Sequence, residues 1–200
     1  MNTCCREGLK KLLVVVLAAF FGSALVFAQN VETQVGADKS VVSSRQSVST
    51  TNADTAWRPS SEQLASINAV TRAYFAALDA NKAVDAYAFS SPRQKQYVPY
   101  DMFQKMLEDF NSEAGPVVAR HIRAVTWYKD TPQTGPGLYV AVDYSSDFTN
   151  LALHCGYVVW HEQSDRTFLL TREEVNMIDN ATMAKLKPGD LEKVRGQFRC

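Results

Sequence analysis

The chain has 200 residues, 46% of them hydrophobic, which suits one compact domain with a core plus an accessory segment. Its 21 basic residues balance its 21 acidic ones, so there is no net field to hold nucleic acid or an anionic membrane surface. A polynucleotide reader is therefore excluded at the outset.

Residues 1–28 follow the secretory pattern. Arg6, Lys10 and Lys11 form a positive n-region, 12-LLVVVLAAFF-21 an apolar h-region, and Val26-Phe27-Ala28 a small-residue cleavage site. The alternative is an uncleaved anchor, since Leu12 to Ala28 reaches the lower edge of a membrane-spanning length, although Gly22 and Ser23 dilute it. A membrane partner is expected only in that case. Cleavage after Ala28 removes Cys4 and Cys5 and leaves Cys155 and Cys200. In an oxidising compartment two cysteines allow one intramolecular pairing.

Residues 29–59, QNVETQVGADKSVVSSRQSVSTTNADTAWRP, are rich in Ser, Thr, Asn and Gln with no sustained hydrophobic period. Such a stretch buries too little apolar surface to offset its ordering entropy, and it reads as a flexible tether. The domain proper is expected over residues 60–179. Ser60 and Gln63 fit a capping box, and Leu64, Ile67, Thr71, Tyr74 and Leu78 keep one helical face. A break at Asp79 to Lys82 separates a shorter helix, which Ser91-Pro92 is expected to stop. A third helix is expected from Tyr100 to Glu113, with Phe103, Met106, Leu107 and Phe110 inward and Gly115-Pro116 closing it.

Beyond Gly115 the period shifts toward two. Strands are expected at 117–130, 138–148, 151–162 and 167–177, joined by short turns into an antiparallel meander. Residues 180–200 read as a weak helix, a Pro188-Gly189 break and a charged tail. N-terminal helices followed by about four antiparallel strands give an α+β fold of the cystatin-like or nuclear-transport-factor-like cone type. The run from Tyr74 to about Asp179, with 78-LDANKAVDAYAFSS-91, Gly115 to Arg120, 137-GLYVAVDY-144 and 172-REEVNMID-179, resembles a group of exported bacterial proteins known as a domain of unknown function. That resemblance implies the fold and export, and it supplies no catalytic residues.

Within 153-LHCGYVVWHE-162, His154 and His161 are an odd number of positions apart and so point to opposite faces of a strand. Cys155 and His161 share a face but stand about 20 Å apart at strand rise, beyond one coordination shell. No metal site is expected from them. The use left for Cys155 is a bond to Cys200, which by loop closure is worth about 4 kcal/mol at most. A pocket between helices and sheet would draw on Asp79, Asp85, Asp143 or His121 as proton shuttle, with Tyr74, Tyr87 and Tyr144 as polar lining. Against this, Asp79 can cap the second helix, Asp85 can sit on its solvated face, and Asp143 can face water. The strand aromatics, Trp127, Tyr128, Tyr139, Tyr144, Tyr157 and Trp160, offer a partner surface or a core. Arg120, Arg123, Arg166 and Arg172 could meet an acidic partner or pair across strands with Glu162, Glu173 and Glu174. No Walker loop, Gly-rich dinucleotide turn, nucleophile elbow or CxxC pair is present, so no cofactor is expected.

The expectation is an exported, periplasmic or secreted, non-enzymatic binding or assembly module for a protein or small-molecule ligand; the alternative is a small-molecule-pocket enzyme using a single Asp or His. The chain isolated from the envelope fraction is expected to begin at Gln29. Mass spectrometry of that fraction checks this, and recovery of Met1–Ala28 intact would identify a membrane anchor instead.

Overall fold

A computed structural model of the chain describes residues 40–50, 56–187, 189–198 and 200, which fall within the unit Ala37–Cys200. The expected signal segment, and residues 29–39 and 51–55 of the expected tether, lie outside the described residues. The fold is α+β. Strand β1 (Ser40–Thr50) is followed by helices α1 (Ser61–Asp79), α2 (Ala83–Ala88), α3 (Pro92–Tyr97) and α4 (Tyr100–Ala114). Strands β2 (Val117–Thr131), β3 (Gly135–Phe148), β4 (Leu151–Glu162) and β5 (Phe168–Asp179) come next, then short helices α5 (Asn180–Met183) and α6 (Asp190–Phe198).

The sheet order is β1-β2-β3-β4-β5. Strands β2 to β5 form the expected antiparallel meander, but β1 adds a fifth strand, parallel to β2. Its residues come from the Ser/Thr-rich stretch that composition alone reads as tether. An edge strand needs one row of backbone bonds and little apolar surface. Here Val48 packs against the core, Gln46 Oε1 accepts from Trp127 Nε1 at 3.2 Å, and the Ser47 and Thr126 hydroxyls bond across the other face at 2.8 Å.

Helix α1 starts at the capping box, with Ser60 Oγ accepting from the Gln63 backbone N–H and Gln63 Oε1 accepting from that of Ser60. Ser91-Pro92 does not stop a helix; it starts α3, with Ser91 Oγ accepting from the Gln94 N–H and Pro92 in the first turn, where its missing donor costs nothing. On α4, Leu107 is buried, but Met106 is 59% exposed rather than inward. The β2–β3 turn is shorter than the Gly/Pro cluster suggests, because Gly135 at φ 79° already opens β3.

Ile67, Tyr74, Phe75 and Ala77 of α1 and Ala86 of α2 bury against Val125, Trp127, Val140, Val142, Val158, Trp160, Phe168 and Leu170. The helices thus cover one face of the sheet, here the inner face. Alternation puts the other side chains of β2, β3 and β4 on an outer face.

Candidate functional site

Polar groups enter the inner face at two points. At the end of α1, Asp79 receives Arg120 of β2: Nε donates at 3.0 and 3.1 Å and Nη2 at 2.6 Å. Arg120 Nη1 donates to Ser146 Oγ at 2.9 Å. The guanidinium lies over Phe75 at 4.6 Å and Phe148 at 5.4 Å, so a planar cation is held by a carboxylate fork and aromatic faces. Asp79 therefore does not cap α2, whose start at Lys82 has no side-chain cap.

The second entry is Glu173 on β5. Tyr74 donates to its Oε2 at 2.6 Å and Tyr144 to its Oε1 at 3.5 Å. Gly156 lies between Tyr144 and Val175 in the register, and its missing side chain lets the β5 backbone come close, since a β-carbon there would run into the Glu174 carbonyl. Burial raises the proton affinity of the Glu173 carboxyl, opposed by the Tyr74 hydrogen bond, the Arg120 charge and the Tyr144 hydrogen bond. Burial and the adjacent Glu173 hold both phenols protonated well above their ordinary range. The triad can store a proton, but both carboxylate oxygens already have donors.

Beside it lies His154, 4% exposed, against Phe148 at 4.9 Å, Phe110 at 5.4 Å and Tyr144 at 5.9 Å. Its Nδ1 has no hydrogen-bond partner among the described residues. Burial, reinforced by the Arg120 charge, lowers its pKa to about 4. It is neutral at physiological pH, which suits an apolar cage.

The sequence candidates do not converge. Tyr74 and Asp79 face inward at separate partners. Tyr87 donates to the Val98 carbonyl at 3.0 Å within the helical layer, and Asp85 is exposed on α2. His121 is on the outer face, 3.3 Å from Asp147 Oδ2, and Asp143 lines an outer-face groove. Among the described residues the expected cross-strand ion pairs do not form: Arg172 pairs with Glu174 along β5 itself, Arg166 of the β4–β5 turn pairs with Glu162, and Arg120 takes Asp79 instead. The inward role of Glu173 was hidden by a register shift opposite Val159/Trp160, which carries β5 from Leu170 to Arg172 against consecutive β4 residues. Simple alternation from Phe168 and Leu170 would have turned Arg172 and Glu174 inward.

Residues 70–171, just over half of the chain, match the family model described as Protein of unknown function (DUF4019). The chain belongs to this family. The match spans Tyr74, Asp79, Arg120, Tyr144 and His154 and stops short of Glu173. No curated protein and no solved structure matches the chain.

On the outer face His161 stacks on Tyr139 at 4.2 Å, opposite in direction to His154. No group of three or more His, Cys, Asp or Glu side chains placed to hold a metal occurs among the described residues. Cys155, 2% exposed on β4, is disulfide-bonded to Cys200, with Cα atoms 5.8 Å apart. Helix α6 has no fully buried residue, so this bond is the main tie of the tail to the sheet.

Two outcomes are expected. Reduction should raise hydrogen exchange over residues 190–198 while β2 to β5 stay protected. Cys155→Ala and Cys200→Ala should each cost up to about 4 kcal/mol, with the double mutant no worse than the worse single; equal protection of the tail in both redox states would refute this. For His154, the unfolded state binds the proton more readily, so its contribution is full above pH 6.5 and is lost as pH falls toward 4, by about 3 kcal/mol. The raised Glu173 carboxyl works the other way, favouring the folded state in acid and losing that contribution as pH rises through its folded value. His154→Phe should accordingly flatten the acid decline in Tm between pH 6.5 and 4, read by thermal unfolding.

Proposed function

We propose that the chain is an exported, non-enzymatic binding or assembly module of the cell envelope, built as a cystatin-like or nuclear-transport-factor-like cone that docks a protein partner on its helical side. The observation that carries this reading is a contrast. The inner charged and phenolic groups satisfy one another, whereas Val84 of α2, Tyr97 of α3, and Met102 and Met106 of α4 stand 52–68% exposed. Large apolar side chains gathered on one layer are a common mark of an interaction surface, and methionine adapts its shape to a partner. Export is supported by the pattern of residues 1–28 and by the disulfide, which persists in oxidising compartments. No helix among the described residues is long and apolar enough to cross a membrane.

A second reading, an enzyme of the same cone, is favoured by one observation: the Glu173 carboxyl with raised proton affinity between two phenols. A substrate would have to displace one of the tyrosine hydroxyls to reach it.

Photo-cross-linking in intact cells separates the two. A photoreactive residue in place of Met102 is expected to give a discrete protein adduct, one placed at Tyr139 on the outer face is not, and Glu173→Gln should leave the Met102 adduct intact. Absence of an adduct from Met102, or a turnover abolished by Glu173→Gln, would overturn the module in favour of the enzyme.

A further inference from the structure

The outer face carries a groove of about 940 Å³, within the range of small-ligand sites, bordered by β1 to β4 and by Cys200. Its cationic groups arrive through a backbone irregularity. Strand β2 has a register shift between Ile122 and Ala124 against β3, and β1 has one between Val42 and Arg45 against the same place in β2. A bulge of this kind re-aims side chains. Ile122, Val125 and Trp127 stay in the core, while both Arg123 and Ala124 line the outer groove. Arg45, paired with Ala124 in the register, reaches the groove from the neighbouring strand.

Arg120, Arg166, Arg172 and Arg195 each meet a carboxylate. Arg45 and Arg123 have neither an ion pair nor a hydrogen bond among the described residues, and both are exposed. The one acidic side chain of the lining, Asp143, already has an interaction of its own. Elsewhere the wall is neutral and hydrogen-bonding, with Thr126, Tyr128, Gln133 and Tyr157. In a chain of zero formal charge, two unpaired guanidiniums in one concavity form a local positive field, and their planar forks match oxyanions in two-point hydrogen bonds.

We infer that this groove is an anion site, taking a small phosphate- or carboxylate-bearing ligand between Arg45 and Arg123, with the polar wall and the Tyr128 ring receiving its uncharged part. The site lies on the face opposite the helical docking layer and does not rest on that reading.

The test uses the full chain with its disulfide intact, titrated at low salt with inorganic phosphate and, separately, with citrate, and followed by NMR. Saturable shifts confined to β1 to β4 are expected for at least one probe, weakening as salt is raised. Arg45→Gln and Arg123→Gln should each weaken binding about tenfold, the loss of one charge-assisted contact, and the double variant should abolish it. Arg166→Gln, which removes an arginine already paired with Glu162, should bind as the parent does. Tighter binding of phosphate than citrate assigns a phosphate-bearing ligand, and the reverse order a carboxylate. No saturable shift with either probe, or unchanged affinity in the double variant with its fold intact by circular dichroism, would overturn the site.

Discussion

The pairing of Arg120 with Asp79 is the constraint on which the inner face depends. It joins the end of α1 to β2 across the core, with the arginine side chain 5% and the aspartate 22% accessible. Taking such charges out of water costs several kcal/mol per ion, so the pair contributes less to net stability than to uniqueness: a helix displaced by one residue would leave a buried cation without its carboxylate. The same guanidinium seats Phe75 and Phe148 and depresses the proton affinity of His154. Position, aromatic packing and protonation are thus coupled through one side chain.

The two faces of the sheet serve different ends because backbone irregularities redistribute their side chains. The shift in β5 brings Glu173 in among phenols, and the shift in β2 sets Ala124 beside Arg123 on the outer side while returning Val125 to the core. Each charged group stands on the side where its surroundings fit. Inside, desolvation leaves the carboxyl leaning on two donors; outside, water and a neutral wall leave the arginine able to exchange partners.

The regular part of the fold was legible in the sequence. The Ser60–Gln63 box, the face from Leu64 to Leu78 and the alternation in 151–162 reflect local physics and are read within a few residues. Three features were not. Strand β1 is held by backbone bonds at an edge, which a hydrophobic pattern does not record. Ser91-Pro92 carries both a stop and a start signal, and its neighbours decide between them. The inward facing of Glu173 was hidden for another reason: an extra residue in a strand inverts the facing of everything beyond it, so counting by twos picks Arg172 and Glu174 over Glu173. The disulfide was readable because arithmetic on two cysteines leaves one pairing, and the opposed facing of His154 and His161 because the β3–β4 register runs without a shift from His161 to Cys155, next to His154.

The parallel pairing of β1 has a price in chain entropy. Because β1 and β2 run the same way, the chain leaving Thr50 must return along the length of the strands before Val117, and the helices from Ser61 to Ala114 lie within that connection. Closing a loop of that size costs on the order of 4 kcal/mol, whereas each hairpin among β2 to β5 closes over a few residues. Strand β1 is therefore the strand whose release gives back the most freedom for one lost row of backbone bonds. The meander is a local structure that the helices cover; its first edge is a long-range addition, set by loop-closure entropy rather than by the core.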